Sequence, residues 1–140
     1  MTEFESKLDG MLFSLMSWDQ LAAFWTRVDL DARWYLYAVG QEVPATPASR
    51  EQVAMFMQKI DALLRHEHDE SYCGIVYADD LERPHFIKIY DPGNLGVSCG
   101  SSKVKVQPGW IMSQIAPVEL QAHIVPANRA RWWQGLFDNQ

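Results

Sequence analysis

At 140 residues, 48% apolar and 21% charged, the chain has the make-up of one globular domain and can bury a core without disulfides or metal. A net charge of −6 and a pI near 5.1 argue against nucleic-acid binding through phosphate neutralisation, and no run reaches the ~18 apolar residues of a membrane span. The acidic, mixed start MTEFESKLDG lacks the pattern of a secretory signal, so the two cysteines point to free thiols in a reducing cytoplasm.

Charge is uneven: residues 1–100 carry eight Lys/Arg against sixteen Asp/Glu, and residues 101–140 four against two. The chain reads as a single α+β domain. A helical half spans 1–70, a sheet 71–116, and a tail with a terminal amphipathic helix 117–140. The expected architecture is N-terminal helices packed on one face of a small antiparallel sheet of about four strands.

In residues 3–16, Phe4, Leu8, Met11, Leu12, Leu15 and Met16 fall on the i, i+4, i+7, i+8 stripe of an amphipathic helix, which Gly10 weakens. Ser17 with Gln20 is a capping-box pair that starts a second helix, whose buried face holds Leu21, Phe24, Trp25 and Val28. The run Trp34 to Val39 suits a strand or a helix capped by Asp31 and stopped at Gly40; the helix is preferred. Two prolines make 43–48 a connector. Ser49 with Gln52 caps the clearest helix, with Val53, Phe56, Met57, Ile60, Leu63 and Leu64 on one face.

That helix ends in Arg65-His-Glu-His-Asp-Glu. His66 and His68, with Cys73, Cys99 and His85, are the weak candidates for a metal, but no ligand spacing matches a zinc motif. A solvated helix end is the simpler reading, because histidines there complement the partial negative charge. No metal or other cofactor is expected.

Tyr72–Ala78 and His85–Tyr90 alternate as two strands joined by the charged loop 79–84, an antiparallel hairpin. Asp91-Pro-Gly-Asn94 is a turn in which proline presets one φ and glycine supplies another. It feeds a small-residue loop that makes Asp91, Asn94, Gly96, Ser98, Cys99, Gly100, Ser101 and Ser102 the candidate ligand or thiol site. The backbone N–H groups and hydroxyls there suit an anion or an activated thiol. A plain connector is the competing reading, since neither a Walker A loop nor a dinucleotide fingerprint is present. Cys73 fits a small buried residue better than a reactive one.

Lys103–Gln107 and Trp110–Ile115 read as a second hairpin turning at Pro108-Gly109, its lysines suited to an edge. Pro126 opens a last helix over Ala127–Phe137. Arg129, Arg131, Trp132, Trp133 and Phe137 form either a helix docked on the core or a partner-binding segment. Docking is preferred.

No paired carboxylates, metal motif or nucleotide loop marks an enzyme, and catalytic residues are not assigned. The preferred function is a non-catalytic accessory or adaptor protein acting on an unidentified protein partner, with no nucleic acid and no membrane span. The alternatives are a thiol- or metal-site protein centred on Cys99, in redox or metallocofactor assembly, and an anion or small-ligand pocket in the 91–102 loop.

Overall fold

The computed structural model describes residues 2–94, 107–120 and 125–137. Its elements run α1 (Glu3–Leu8), β1 (Phe13–Leu15), α2 (Trp18–Trp25), β2 (Tyr35–Ala38), α3 (Arg50–Glu67), β3 (Val76–Ala78), β4 (Phe86–Ile89), a 3₁₀ turn (Pro92–Asn94), β5 (Trp110–Ser113) and α4 (Ala127–Gly135). The fold is α+β. Its antiparallel sheet has the order β1-β3-β4-β5-β2 among the described residues, one strand more than the sequence suggested.

Three helices begin on capping boxes. The side chains of Thr2, Ser17 and Ser49 each accept the backbone N–H three residues on, while Glu5, Gln20 and Gln52 reach back to the cap. Such a cap contributes about 1 kcal/mol by pairing N–H groups that a helix start leaves orphaned. The last two boxes are those expected from sequence.

Period-2 alternation gives the sheet two unlike faces. Leu15, Val76, Ala78, Ile87, Ile89, Trp110, Met112, Leu36 and Ala38 meet Leu21 and Phe24 of α2 and Val53, Phe56, Ile60 and Leu64 of α3 in the main core. Phe56 is fully buried, so Phe56→Ala would cost about 3–5 kcal/mol. On the opposite face Tyr37, Phe86 and Ile111 join Phe4 of α1 and Leu120 in a second, smaller core. Its centre is an edge-to-face contact of Phe4 and Phe86, ring centroids 5.6 Å apart. The helices therefore do not all share one face: α1 covers the other. Lys7 ties it there through Asp79, at 3.2 Å.

Three expectations are corrected. The single helix over 3–16 is a helix, a turn and a strand. The chain leaves the helix at Asp9, and a Cβ on Gly10 would stand 2.9 Å from the Ser6 carbonyl oxygen, closer than real Cβ contacts come. Leu15 and its neighbours then pair with β3, which offers their backbone a ladder.

The preferred helix through 34–39 is β2, buried at every position. Side chains along and just past it alternate between the two cores, so Leu36 and Ala38 enter one and Tyr37 and Val39 the other. Burial on both sides suits β structure more than a solvent-facing helix. The helical half thus supplies two of the sheet's strands.

The second hairpin is also replaced. β5 is flanked by β4 and β2, so both of its edges are taken. Residues 103–106 of the expected partner strand lie outside the described residues.

Candidate functional site

Within the candidate 91–102 loop the structure describes 91–94; Gly96, Ser98, Cys99, Gly100, Ser101 and Ser102 lie outside the described residues. Asp91 lies two residues past the end of β4. Its Oδ1 accepts the Gly93 N–H at 2.8 Å, which winds the chain into the 3₁₀ turn. A Cβ on Gly109 would come within 3.2 Å of the Asp91 Cβ, so the glycine lets the chain entering β5 pass close to the acid.

Arg129 closes over this turn. Its guanidinium donates to both oxygens of Asp91, at 2.8 and 3.1 Å, and to both oxygens of Glu67 at the end of α3, each at 2.9 Å. Such forked, charge-assisted pairs are the strong class of hydrogen bond. Arg129 and Asp91 are nearly buried, with side chains 10% and 11% exposed, while Glu67 keeps 37%. The hydrogen bonds from Arg129 hold the Glu67 carboxyl below its ordinary pKa, and the two acids drive the guanidinium's pKa upward. With four hydrogen bonds in place, this cation is engaged with the protein itself.

A cleft opens beside it, lined by Gln41, Asp91, Gly109, Trp110, Pro126 and Trp133 among others. Its space of about 30 Å³ holds a couple of waters, far short of the several hundred Å³ of a drug-sized ligand site.

The aromatic C-terminal candidates also face the core. Trp132 stacks edge-to-face on Trp110, and Trp133 on Phe56 and Phe137, at centroid distances of 5.5–6.0 Å. Leu136 is buried with them, and Arg131 is exposed. The terminal helix is docked.

The described metal candidates are scattered. His68 is buried at the end of α3, and its Nε2–H donates to the Cys73 carbonyl at 2.9 Å. Its ring lies edge-on to Trp18 and Tyr72. His66 is exposed, and His85 sits at the opposite end of β3, with its Nδ1 3.7 Å from Asp79 Oδ2. Cys73 is fully buried in the main core, where desolvation raises its thiol pKa. No group of three or more potential ligands comes together among the described residues.

Sequence reasoning missed one feature. Among the described residues, Met11, Phe13, Met16 and Tyr72 are the exposed large apolar ones, at 82%, 48%, 54% and 49% of full exposure. All four gather at β1, which only β3 pairs among the described residues. Met11, Phe13 and Met16 lie in or beside β1, and Tyr72 adjoins them because the Cys73 N–H bonds the Met16 carbonyl at 2.8 Å. Reading 3–16 as a continuous helix put Met11 and Met16 on a buried stripe. The signal available was Asp9-Gly10, a stop before a Phe-Ser-Leu alternation.

No protein-family model matches this chain, and no curated protein or solved structure resembles it at a significant level. Among the described residues no helix is long and apolar enough to cross a membrane.

Proposed function

We propose that this protein is a non-catalytic accessory or adaptor that works by holding another protein, and that the partner docks on the sheet edge at β1. The observation that carries this reading is that exposed Met11, Phe13 and Met16 lie in or beside a strand edge that no described strand pairs, with exposed Tyr72 next to the residue that bonds Met16. Apolar residues scattered singly are ordinary on a surface, but three exposed within six consecutive positions at a strand edge suit an interaction site. Methionine adapts its shape to a partner and aromatic rings supply large contact area, a pairing typical of binding surfaces.

Edge strands are commonly protected by lysine, proline or a covering loop. β1 reads Phe-Ser-Leu, with neither charge nor proline. Its shortness is the protection it has.

The test is affinity capture from the native cell, using the wild type and a Phe13→Ser, Met16→Ser double variant as baits. Both changes are at exposed positions, so the variant should keep the wild-type circular dichroism and melting temperature. The reading expects a protein recovered by the wild type and lost with the variant. Recovery of the same proteins by both baits, or of none above background, sinks it.

A further inference from the structure

The same edge carries information about the partner's chemistry, an inference that rests on the function proposed above. In the stretches of chain that carry the apolar group, residues 10–20 and 69–75 contain Asp19, Asp69 and Glu70 and no Lys or Arg. All three acids are exposed. The cations that flank these stretches in the chain are engaged within the molecule: Lys7 bonds Asp79 at 3.2 Å, and Arg65 bonds Asp61 at 2.8 Å and lies over the Trp18 ring. A partner arriving here meets apolar side chains framed by negative charge.

The backbone adds a direction. The Leu15 carbonyl accepts the Gly74 N–H at 2.8 Å, facing β3. Strand alternation then turns the N–H and C=O of Ser14 away from the sheet, toward the side where no described strand pairs with β1. An extended chain laid along this edge would gain main-chain hydrogen bonds at Ser14 and set alternate side chains beside Phe13 and Met16.

We propose that β1 takes an extended segment of another protein as an added strand, and that this segment carries lysine or arginine interleaved with apolar residues. A second copy of this chain is the poorer occupant. Pairing β1 with β1 would bring two acidic rims together in a molecule already carrying −6, and like-charge juxtaposition opposes association.

The test uses the full chain and three labelled nine-residue peptides: one alternating valine with lysine, one alternating valine with glutamate, and the lysine peptide with two central prolines. Binding is read by fluorescence anisotropy at 50 and 500 mM salt, and the contact site by amide shifts in NMR spectra. The valine–lysine peptide should bind, shift the amides of residues 13–16, and lose at least about five-fold in affinity at high salt, where charges are screened. The glutamate and proline peptides should bind at least ten-fold more weakly. Reversing the rim with Asp69→Lys and Glu70→Lys should exchange the order of the two charged peptides.

Equal binding of the lysine and glutamate peptides, equal binding of the proline peptide, or no binding of the lysine peptide would overturn the inference. So would a concentration-dependent dimer whose contact maps to β1. Should the lysine peptide fail while the Phe13→Ser, Met16→Ser bait still loses its cellular protein, the interaction function stands and the strand-addition, basic-segment reading falls. If neither experiment responds, both fall.

Discussion

The Nε2–H of His68 donates to the carbonyl of Cys73 across 2.9 Å, and both residues are buried. This single bond closes the five-residue step from the end of α3 into β3. Met16 and Leu15 accept the next two N–H groups, of Cys73 and Gly74, so the same step also anchors β1. What the sequence offered as a ligand in a metal cluster is a clasp between a helix end and a strand.

Replacing that clasp should be costly. His68→Leu keeps the bulk but leaves a buried carbonyl without a donor, a loss of roughly 1–3 kcal/mol. Urea unfolding checks it, with the midpoint falling and the slope unchanged. A change under about 0.5 kcal/mol would show that the bond is not stabilising.

Arg129→Ala should destabilise the fold by about 3 kcal/mol, the low end for breaking a buried ion pair, because Glu67 stays partly solvated. Arg129→Lys should recover only part, since one ammonium cannot present the fork that two carboxylates receive.

Acid stability follows from the same group. Glu67 has a folded-state pKa below its ordinary 4.5, so its contribution is fully present above that value and is lost as pH falls through the folded one. In Arg129→Ala the Glu67 carboxyl should titrate nearer 4.5, and the fall of stability with pH in that window should flatten. An NMR titration of the carboxyl carbon, beside urea curves from pH 6 to 3, measures both. An unmoved Glu67 titration would break the link.

Cys73 should be slow toward thiol reagents. Its side chain is inaccessible and burial raises its pKa, and both lower the thiolate available for attack. In a Cys99→Ser background, modification by a disulfide reagent at pH 8 should be at least about a hundred-fold slower in native protein than in urea. A fast native reaction would mean that the core opens there.

Tyr37→Phe should isolate one bond between the sheet and the segment after β5. The Leu120 N–H donates to the Tyr37 hydroxyl at 3.1 Å within the second core. Removing the oxygen strands a buried donor at a cost of roughly 1–3 kcal/mol. Hydrogen exchange at the Leu120 amide should accelerate more than the global destabilisation accounts for. Unchanged protection would mean that another acceptor serves it.

Local chemistry made the clearest features legible from sequence. Ser17 with Gln20 and Ser49 with Gln52 are complete signals within four residues, and both helices start there. The alternation of Phe86 through Ile89 placed Ile87 and Ile89 on one face and Phe86 on the other, as the two cores require. The errors fell where distant residues decide. Tyr35–Ala38 is a strand because β5, some seventy residues on, pairs with it, and nothing within 31–40 encodes that neighbour. The apolar spacing of 3–16 fits a helix as well as a helix, turn and strand, and β3 settles it through pairing. The partnership of Arg129 with Asp91 and Glu67 spans 38 and 62 residues, beyond any local pattern.

The sheet order has a consequence for synthesis. β1 and β2 are close in the chain, yet they occupy opposite margins of the sheet, and β2 meets its neighbour only when residues 110–113 exist. At 5–20 residues per second, the Tyr-Leu-Tyr-Ala strand waits about 4–15 s for that pairing. During synthesis the pairings open to the chain therefore run across the sheet from β1 through β3, β4 and β5, and β2 is the last strand whose partner emerges. A nascent chain paused before residue 110 would expose that strand to chaperones or to other chains, making the late stage of translation the one most sensitive to speed.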